Sequence, residues 1–227
     1  LAIFEKEGIK DLNFLGIEKS PVVSGYRNKM EYTFGDEEKD GPLSLGLHRK
    51  GKFYEVVEVT GCNIVERDFT IILREVLNYF REKEVPHYNK RNHIGVLRHL
   101  VVRKALSTGE IIINLVTSSQ GKIDTEEFKN RLVNCKEIEG NIVGILYTKN
   151  DNLSDAVKVD ELNLIYGRDY VIEEILGLKF KISPFSFFQT NTLGAEKLYS
   201  IVKDFVGNEK NNIVYDLNNY NHLIVYS

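Results

Sequence analysis

The sequence predicts an α+β fold: a mixed, mostly antiparallel sheet with helices on one face, followed by one further helix and strand. Three observations predict it. Several segments alternate between apolar and polar residues, as half-buried strands do. Other segments repeat apolar residues every three or four positions, as amphipathic helices do. The strands come in runs that helices interrupt, and this order is typical of an α+β protein.

The first strand is predicted at residues 26–34, where the two faces alternate. One face holds Tyr26, Asn28, Met30 and Tyr32, and the other holds Arg27, Lys29, Glu31 and Thr33. Residues 43–50 and 53–59 flank a turn at Gly51 and Lys52 and are predicted to form a hairpin. Further strands are predicted at 96–104, 110–118, 144–148, 160–166, 170–177 and 178–183.

Three helices are predicted from apolar stripes and capping residues. The first covers 67–84, with a stripe of Phe69, Ile72, Leu73, Val76 and Phe80. The second runs from Asp124, an N-cap residue, to Asn134, with a stripe of Phe128, Leu132 and Val133. The third begins at Asn191 and Thr192, with a stripe of Leu198, Ile201, Val202 and Phe205, and leads into a buried strand at 212–217. We predict one domain over 1–178 and a second over 179–227.

Basic residues concentrate in two stretches that contain no Asp or Glu, although the net charge is −3. The stretch 41–54 holds His48, Arg49, Lys50 and Lys52. The stretch 85–109 holds Lys90, Arg91, Arg98, Arg103 and Lys104. Such stretches on an acidic chain suggest a positive surface set apart from a negative one. Two solvated loops with ordinary charges are the alternative interpretation.

Cysteine and histidine usage gives no sign of a metal site. Cys62 and Cys135 lie far apart and form no CxxC pair, which favours small, buried roles in a reducing cytoplasm. His48, His87, His93 and His99 lack metal-ligand spacing, and we expect all four at the surface or partly buried. No apolar run reaches the roughly 18 residues that span a bilayer, so we expect no membrane partner.

Three segments together resemble the RNA (uracil-5-)-methyltransferase family, whose members make 5-methyluridine in ribosomal or transfer RNA. They are YRNKMEYTFG at 26–35, GVLRHLVVR at 95–103 followed by TGEIIINLVT, and ISPFSFFQTNTLGAEKLY at 182–199. The resemblance implies a central RNA-binding domain at 1–178 and the start of a Rossmann-like methyltransferase domain at 179–227. It implies S-adenosyl-L-methionine as cofactor and RNA as partner, and we favour 23S rRNA over tRNA.

The family's chemistry uses a cysteine that adds to C6 of uracil and a carboxylate base that removes the C5 proton. Cys62 and Cys135 do not match the nucleophile motif, so we assign no catalytic residue in this chain. Asp216 and Leu217 match the strand before the family's cofactor turn, but Asn218 and then Asn219, Tyr220, Asn221 and His222 replace its aromatic and glycines. We therefore expect a truncated, inactive chain with weak or no cofactor binding. We also expect no iron–sulphur cluster.

The resemblance also assigns contact residues. Gln189 matches a cofactor-binding glutamine, and Phe187 is expected to stack on a flipped base while Phe188 packs in the core. The RNA-contact residues are predicted to be Arg27, Lys29, Arg49, Lys50, Arg98, Arg103 and Phe187. Arg98 and Arg103 do not share a strand face, so at most one of them should point to RNA directly.

Two alternatives to this enzyme remain open at the level of sequence. One is a non-catalytic RNA- or partner-binding module whose apolar tail at 218–227 closes a sheet edge. The other, a small-molecule methyltransferase, fits poorly because it gives the basic stretches no purpose. The sequence leaves the oligomeric state undetermined.

Overall fold

The computed structural model of the protein describes residues 2–8, 13–52, 54–153 and 161–207. The predicted strand at 212–217 and the tail at 218–227 lie outside these residues. Within them, no helix is long and apolar enough to cross a membrane.

A seven-stranded sheet forms the centre of the molecule. Its strands are β1 (Lys29–Asp36), β2 (Leu43–His48), β3 (Val56–Glu58), β4 (Leu97–Lys104), β5 (Glu110–Thr117), β6 (Asn141–Lys149) and β7 (Glu161–Gly167). They lie side by side in the order β3-β2-β1-β4-β5-β6-β7. Every pair is antiparallel except β5 and β6, which are parallel. A parallel pair needs a crossover connection, and the segment between these two strands includes a helix.

Two helices cover one face of this sheet. The helices of the chain are α1 (Ala2–Lys6), α2 (Arg67–Glu82), α3 (Thr125–Val133) and α4 (Thr192–Val206). The apolar stripes of α2 and α3 pack against alternate residues of the strands to form the main core. Phe80 of α2 lies at its centre, with its ring centroid 5.6 Å from that of Phe34 and 5.7 Å from that of Phe128.

A short hairpin covers part of the opposite face. It consists of β8 (Val171–Ile175) and β9 (Leu178–Ile182), which pair antiparallel. Val171 and Ile182 pack with Ile112 and Leu146 of the large sheet in a second, smaller core. The predicted domain boundary at 178/179 falls at the start of β9, inside this hairpin, and it stays a prediction.

The predicted fold class is confirmed, and most predicted elements form within a few residues of their expected bounds. Asp124 and Asn191 cap α3 and α4 by accepting hydrogen bonds from the backbone N–H groups of Glu127 and Gly194. These caps could be predicted because each bond joins residues only three positions apart.

Three details of the prediction were wrong. Val133 is 39% exposed because it is the last residue of α3 and points away from the stripe that packs on the sheet. His99 is only 3% exposed because β4 is a central strand whose two faces are both covered. The apolar stripe of α4 is exposed at Leu198, Val202 and Phe205, since this helix buries only Thr192 and Ala195.

Candidate nucleic-acid interface

The three segments that resemble the RNA methyltransferases meet at one place, which we call the motif junction: Asn28, Arg103, Ser186, Gln189 and Thr192. The Asn28 amide donates hydrogen bonds to the Gln189 carbonyl oxygen and to the Thr192 hydroxyl, each 2.9 Å long. Arg103 donates from Nη2 to the Ser186 carbonyl oxygen at 2.7 Å. Side chains of the first two segments therefore hold the loop of the third.

Glu173 of β8 extends this network to the turn between β4 and β5. Its side chain is 1% exposed and accepts hydrogen bonds from the backbone N–H groups of Leu106 and Ser107, at 2.8 and 2.9 Å. The Thr192 hydroxyl donates to the same carboxylate at 3.2 Å. A buried carboxylate needs such donors, so the start of α4 is fixed to the sheet through hydrogen bonds that exclude water.

Two cations lie side by side on β1 and β4, and one of them, Arg103, contacts the loop of the motif junction. Lys29 and Arg103 are directly opposite on β1 and β4. Arg103 is 2% exposed, and its Nε and Nη1 groups have no hydrogen-bond partner among the described residues. Burial lowers the pKa of Arg103 to about 10, against the opposing effect of Glu173. Burial, and then the charge of Arg103, lower the pKa of Lys29.

The loop of the motif junction presents one phenylalanine outwards and one inwards. Phe187 is 89% exposed. Phe188 packs against the smaller core, with its ring centroid 5.7 Å from that of Phe180. The loop therefore offers the Phe187 ring as an exposed flat surface on a backbone that Asn28 and Arg103 hold in place.

Gln189 also lies in this loop with its side chain exposed. It lines neither a groove formed by residues of 33–56 and 87–91 nor a smaller one formed by residues of 110, 141–143 and 166–168. The rest of the predicted cofactor segment, 216–222, lies outside the described residues, so Gln189 alone does not make a site for the methyl donor. Among the residues that the structure describes, no group of three or more His, Cys, Asp or Glu side chains could hold a metal ion.

A groove of about 700 Å³ lies between the β1–β3 part of the sheet and the segment 87–91. It brings the two basic stretches together, since His48, Arg49 and Lys52 come from one and Lys90 and Arg91 from the other. Four acidic residues also line it: Asp36, Glu37, Glu38 and Glu55. We call this surface the basic groove.

The cations of the basic groove have different partners. The Arg49 guanidinium lies 2.6 Å from the Glu37 carboxylate and 3.2 Å from that of Glu55. The Arg91 guanidinium instead lies over the Tyr54 ring, 4.2 Å from its centroid. Lys90 Nζ lies 3.0 Å from His48 Nε2, and since an ammonium only donates, the ring nitrogen is the acceptor.

The predicted RNA-contact residues are distributed unevenly over these two places. Arg103 is part of the motif junction, and Lys29 and Phe187 adjoin it in the chain. Half-buried Arg27 also adjoins it, with its Nε donating to the Lys29 carbonyl oxygen at 3.0 Å. Arg49 lines the basic groove, and Lys50 is exposed beside it.

Arg98 does not face the surface as an RNA contact would. It is 4% exposed, and its Nη1 donates to the carbonyl oxygens of Asn150 and Asn152 at 2.6 and 2.7 Å. Its guanidinium also lies 4.5 Å from the centroid of the Tyr88 ring. We therefore leave Arg98 out of the proposed interface.

Tyr54, Lys90 and Arg91 are surface residues that the sequence prediction missed. Lys90 and Arg91 were noted only as members of a basic stretch. The absence of acids in both stretches was the available signal, but only the fold brings the stretches together.

Comparison with known proteins defines the class. No protein-family model matches the chain. An uncharacterized RNA methyltransferase of Caldanaerobacter subterraneus is 55% identical over 217 residues, covering 96% of this chain and 48% of the relative. One from Clostridium tetani is 52% identical, covering 96% and 47%. These relatives define the class of protein that the chain resembles, the RNA methyltransferases.

The solved structures agree at the level of fold. The chain is similar to the crystal structure of Pyrococcus abyssi tRNA (uracil-54, C5)-methyltransferase in complex with S-adenosyl-L-homocysteine, with a TM-score of 0.64 and 23% identity. The match covers 84% of this chain and 44% of that one. The chain is homologous to curated RNA methyltransferases over nearly its whole length, in agreement with the resemblance that its three segments carry. It spans about half the length of the curated relatives it matches.

Proposed function

We propose that this chain is the RNA-recognition part of an enzyme that methylates C5 of a uridine in RNA, with S-adenosyl-L-methionine as methyl donor. The observation that supports this most directly is the motif junction, where side chains of two distant segments hold a loop that exposes Phe187. The similar sequences are RNA methyltransferases, which supports RNA as the substrate. The family resemblance and the similar solved structure, a tRNA (uracil-54, C5)-methyltransferase, support uridine as the methylated base.

The motif junction suits a base that has left its stack. An exposed aromatic ring on a fixed loop can stack on an unpaired base, whereas a paired base is out of its reach. Half-buried Arg27 and Lys29 lie close by and can contact the phosphates on either side of that base. We assign Phe187 to the base, and Arg27 and Lys29 to the backbone.

We propose that the methyl transfer depends on residues other than Cys62 and Cys135. Neither Cys62 nor Cys135 matches the nucleophile motif, and Asn218–His222 replaces the aromatic and glycines that would approach the cofactor. We propose that the chain alone does not methylate RNA and binds the methyl donor weakly or not at all. The 23S rRNA substrate and a cytoplasmic location remain proposals.

RNA binding tests the recognition half of this proposal. Fluorescence anisotropy should show that the chain binds a labelled uridine-containing single strand of about 12 nucleotides more tightly than a duplex of the same length. Phe187→Ala should weaken this binding about tenfold, because a stacked base loses its platform. Phe205→Ala removes another exposed phenylalanine and should leave binding unchanged. Equal effects of the two substitutions would contradict the role of Phe187.

Two assays test the catalytic half. Incubation of the chain with RNA and methyl-labelled S-adenosyl-L-methionine should transfer no label. Isothermal titration should show no micromolar binding of the methyl donor. Transfer of label, or micromolar binding, would show that the chain contains an active centre and would overturn this half without affecting the RNA-binding half.

A further inference from the structure

We propose that the basic groove is a second RNA-contact site, which holds one nucleotide of a single-stranded segment away from the base at Phe187. This inference rests on the proposed RNA-binding function and adds a second place at which the chain contacts the RNA. The proposed contacts are a base on the Arg91 guanidinium and a phosphate at Lys90.

The basic groove lies at the opposite end of β1 from the motif junction. Lys29 begins the strand beside the motif junction, whereas Thr33 to Asp36 line the groove. Four to seven residue steps of an extended strand separate Lys29 from these residues, a span of about 13–23 Å. One nucleotide cannot contact both places, so a bound RNA must continue over several nucleotides between them.

The Arg91–Tyr54 pair has the geometry of a stacking platform. The guanidinium lies 4.2 Å from the centroid of the tyrosine ring, so the ring supports one side of the cation. Arg91 is exposed, and Tyr54 is 48% exposed. Unpaired RNA bases stack on aromatic rings and on arginine planes, and the solvent side of this pair is open to one.

Lys90 is placed to meet the phosphate of the same nucleotide. It is adjacent to Arg91 in the chain, and its ammonium donates to the His48 ring at the wall of the groove. Burial lowers the pKa of His87, which also lines the groove, so this ring stays neutral at neutral pH. The part of the basic groove around Lys90 and Arg91 therefore presents cations and uncharged rings.

The acidic residues restrict which anion can enter. Glu37 and Glu55 hold Arg49, and Glu55 also pairs with Lys52 at 3.3 Å. Asp36 and Glu38 also line the groove. Four carboxylates repel a multiply charged group, which favours a phosphodiester with one charge over a nucleoside triphosphate. The occupant is therefore a segment of RNA, with its phosphate on the side of Lys90.

Substitutions in the whole chain test this site by anisotropy with the same labelled single strand. Arg91→Ala and Tyr54→Ala should each weaken binding about tenfold, because each removes part of the platform. Tyr54→Phe keeps the ring and should bind like the unmodified chain. Lys90→Ala should reduce the slope of log Kd against log salt by about one, as expected for a lost phosphate contact.

Arg74→Ala is the matched control for Arg91→Ala. Arg74 is an arginine of α2 that pairs with Glu137 at 2.8 Å, so its removal changes the net charge equally on the helix side of the sheet. If Arg91→Ala and Tyr54→Ala bind within twofold of this control while Phe187→Ala is impaired, the groove proposal is overturned and the proposed function stands. If the unmodified chain does not bind the RNA, both are overturned.

Discussion

Asp68 is a buried carboxylate that ties the first turn of α2 to the sheet. Its side chain accepts hydrogen bonds from the backbone N–H groups of Glu139 and Gly140, at 2.8 and 3.0 Å, and from Lys104 Nζ at 2.8 Å. Burial by itself would raise the pKa of Asp68, but these three donors outweigh it and the pKa is lowered. The carboxylate therefore stabilises the folded chain in its charged form.

Asp68→Asn should reduce the free energy of unfolding by about 2–4 kcal/mol, because buried hydrogen bonds to a charged group are lost and Lys104 loses a partner. Urea unfolding followed by circular dichroism measures it. Glu126→Gln is the control: its exposed pair with Lys129 should contribute less than about 0.5 kcal/mol. Equal losses in both variants would show that the buried bonds are unimportant.

The same carboxylate predicts a dependence of stability on pH. Because the pKa of Asp68 is lower in the folded chain than the ordinary value of 3.8, its contribution is present above that value and disappears as the pH falls through the folded pKa. Between about pH 5 and about pH 3, the unmodified chain should therefore lose more stability than Asp68→Asn. A parallel decline in both chains would contradict this assignment.

Thr192 offers a test of the hydrogen-bond network at the motif junction. Thr192→Val keeps the shape of the side chain but removes the hydroxyl that joins Asn28 to Glu173. We expect a loss of about 1–2 kcal/mol in the free energy of unfolding, because two buried polar groups lose a partner. RNA binding should also weaken, since the Asn28 amide no longer fixes both ends of the loop.

Thr108→Val is the comparison for Thr192→Val. It removes an exposed hydroxyl that bonds to the Ile172 carbonyl oxygen at 2.8 Å, so its cost should be smaller and RNA binding should be unchanged. If the RNA affinities of Thr192→Val and Thr108→Val are the same, the network does not position the loop.

At the scale of residues, the sequence predicted contacts between near neighbours better than contacts between residues far apart in the chain. The caps at Asp124 and Asn191 depend on neighbours three positions away. The burial of Arg98 and Arg103 depends on carbonyl groups at Asn150 and Ser186, 52 and 83 positions further along. A basic residue in a strand looks like a surface residue until those carbonyl groups are placed, so both arginines were predicted as RNA contacts.

At the scale of elements, β2 and β3 approach each other at a glycine. A Cβ at Gly46 would lie 1.9 Å from the Val57 carbonyl oxygen, which is part of the backbone and cannot turn away. Gly46→Ala should therefore force the two strands apart and reduce the free energy of unfolding by more than about 2 kcal/mol. Gly61→Ala, where a Cβ would meet nothing within 4 Å, should change stability little. Thermal unfolding of both variants makes the comparison.

The strands and helices could be predicted because their patterns are local, but the contacts of α4 could not. The spacing of Leu198, Val202 and Phe205 correctly indicated a helix, yet these residues are exposed in the part of the chain that the structure describes. Periodicity shows which residues share a face and does not show what that face contacts. The strands β8 and β9 were similarly visible in sequence, whereas their pairing and their packing on Ile112 and Leu146 were not.

At the scale of the whole molecule, the arginines on the helix side of the sheet are paired with acids. The acids belong to α2 and to the loop before β6. Arg74 lies 2.8 Å from Glu137, and Arg131 lies 2.9 Å from Glu75 and 3.2 Å from Glu82. These paired cations offer little to a phosphate, whereas Phe187 and the Arg91–Tyr54 pair expose aromatic rings. RNA should therefore approach the motif junction and the basic groove.

Hydrogen–deuterium exchange with and without the labelled single strand tests this picture of the whole molecule. Bound RNA should slow exchange in peptides covering 48–54, 87–91 and 186–190, because these segments form the two proposed contact sites. Peptides of α2 and α3 should exchange at unchanged rates, since their basic residues already have acidic partners. The Arg91→Ala chain should lose protection at 48–54 and 87–91 while keeping it at 186–190, because the two sites lie at opposite ends of β1. Protection centred on α2 and α3 would place the RNA on the helices and would contradict the proposed interface.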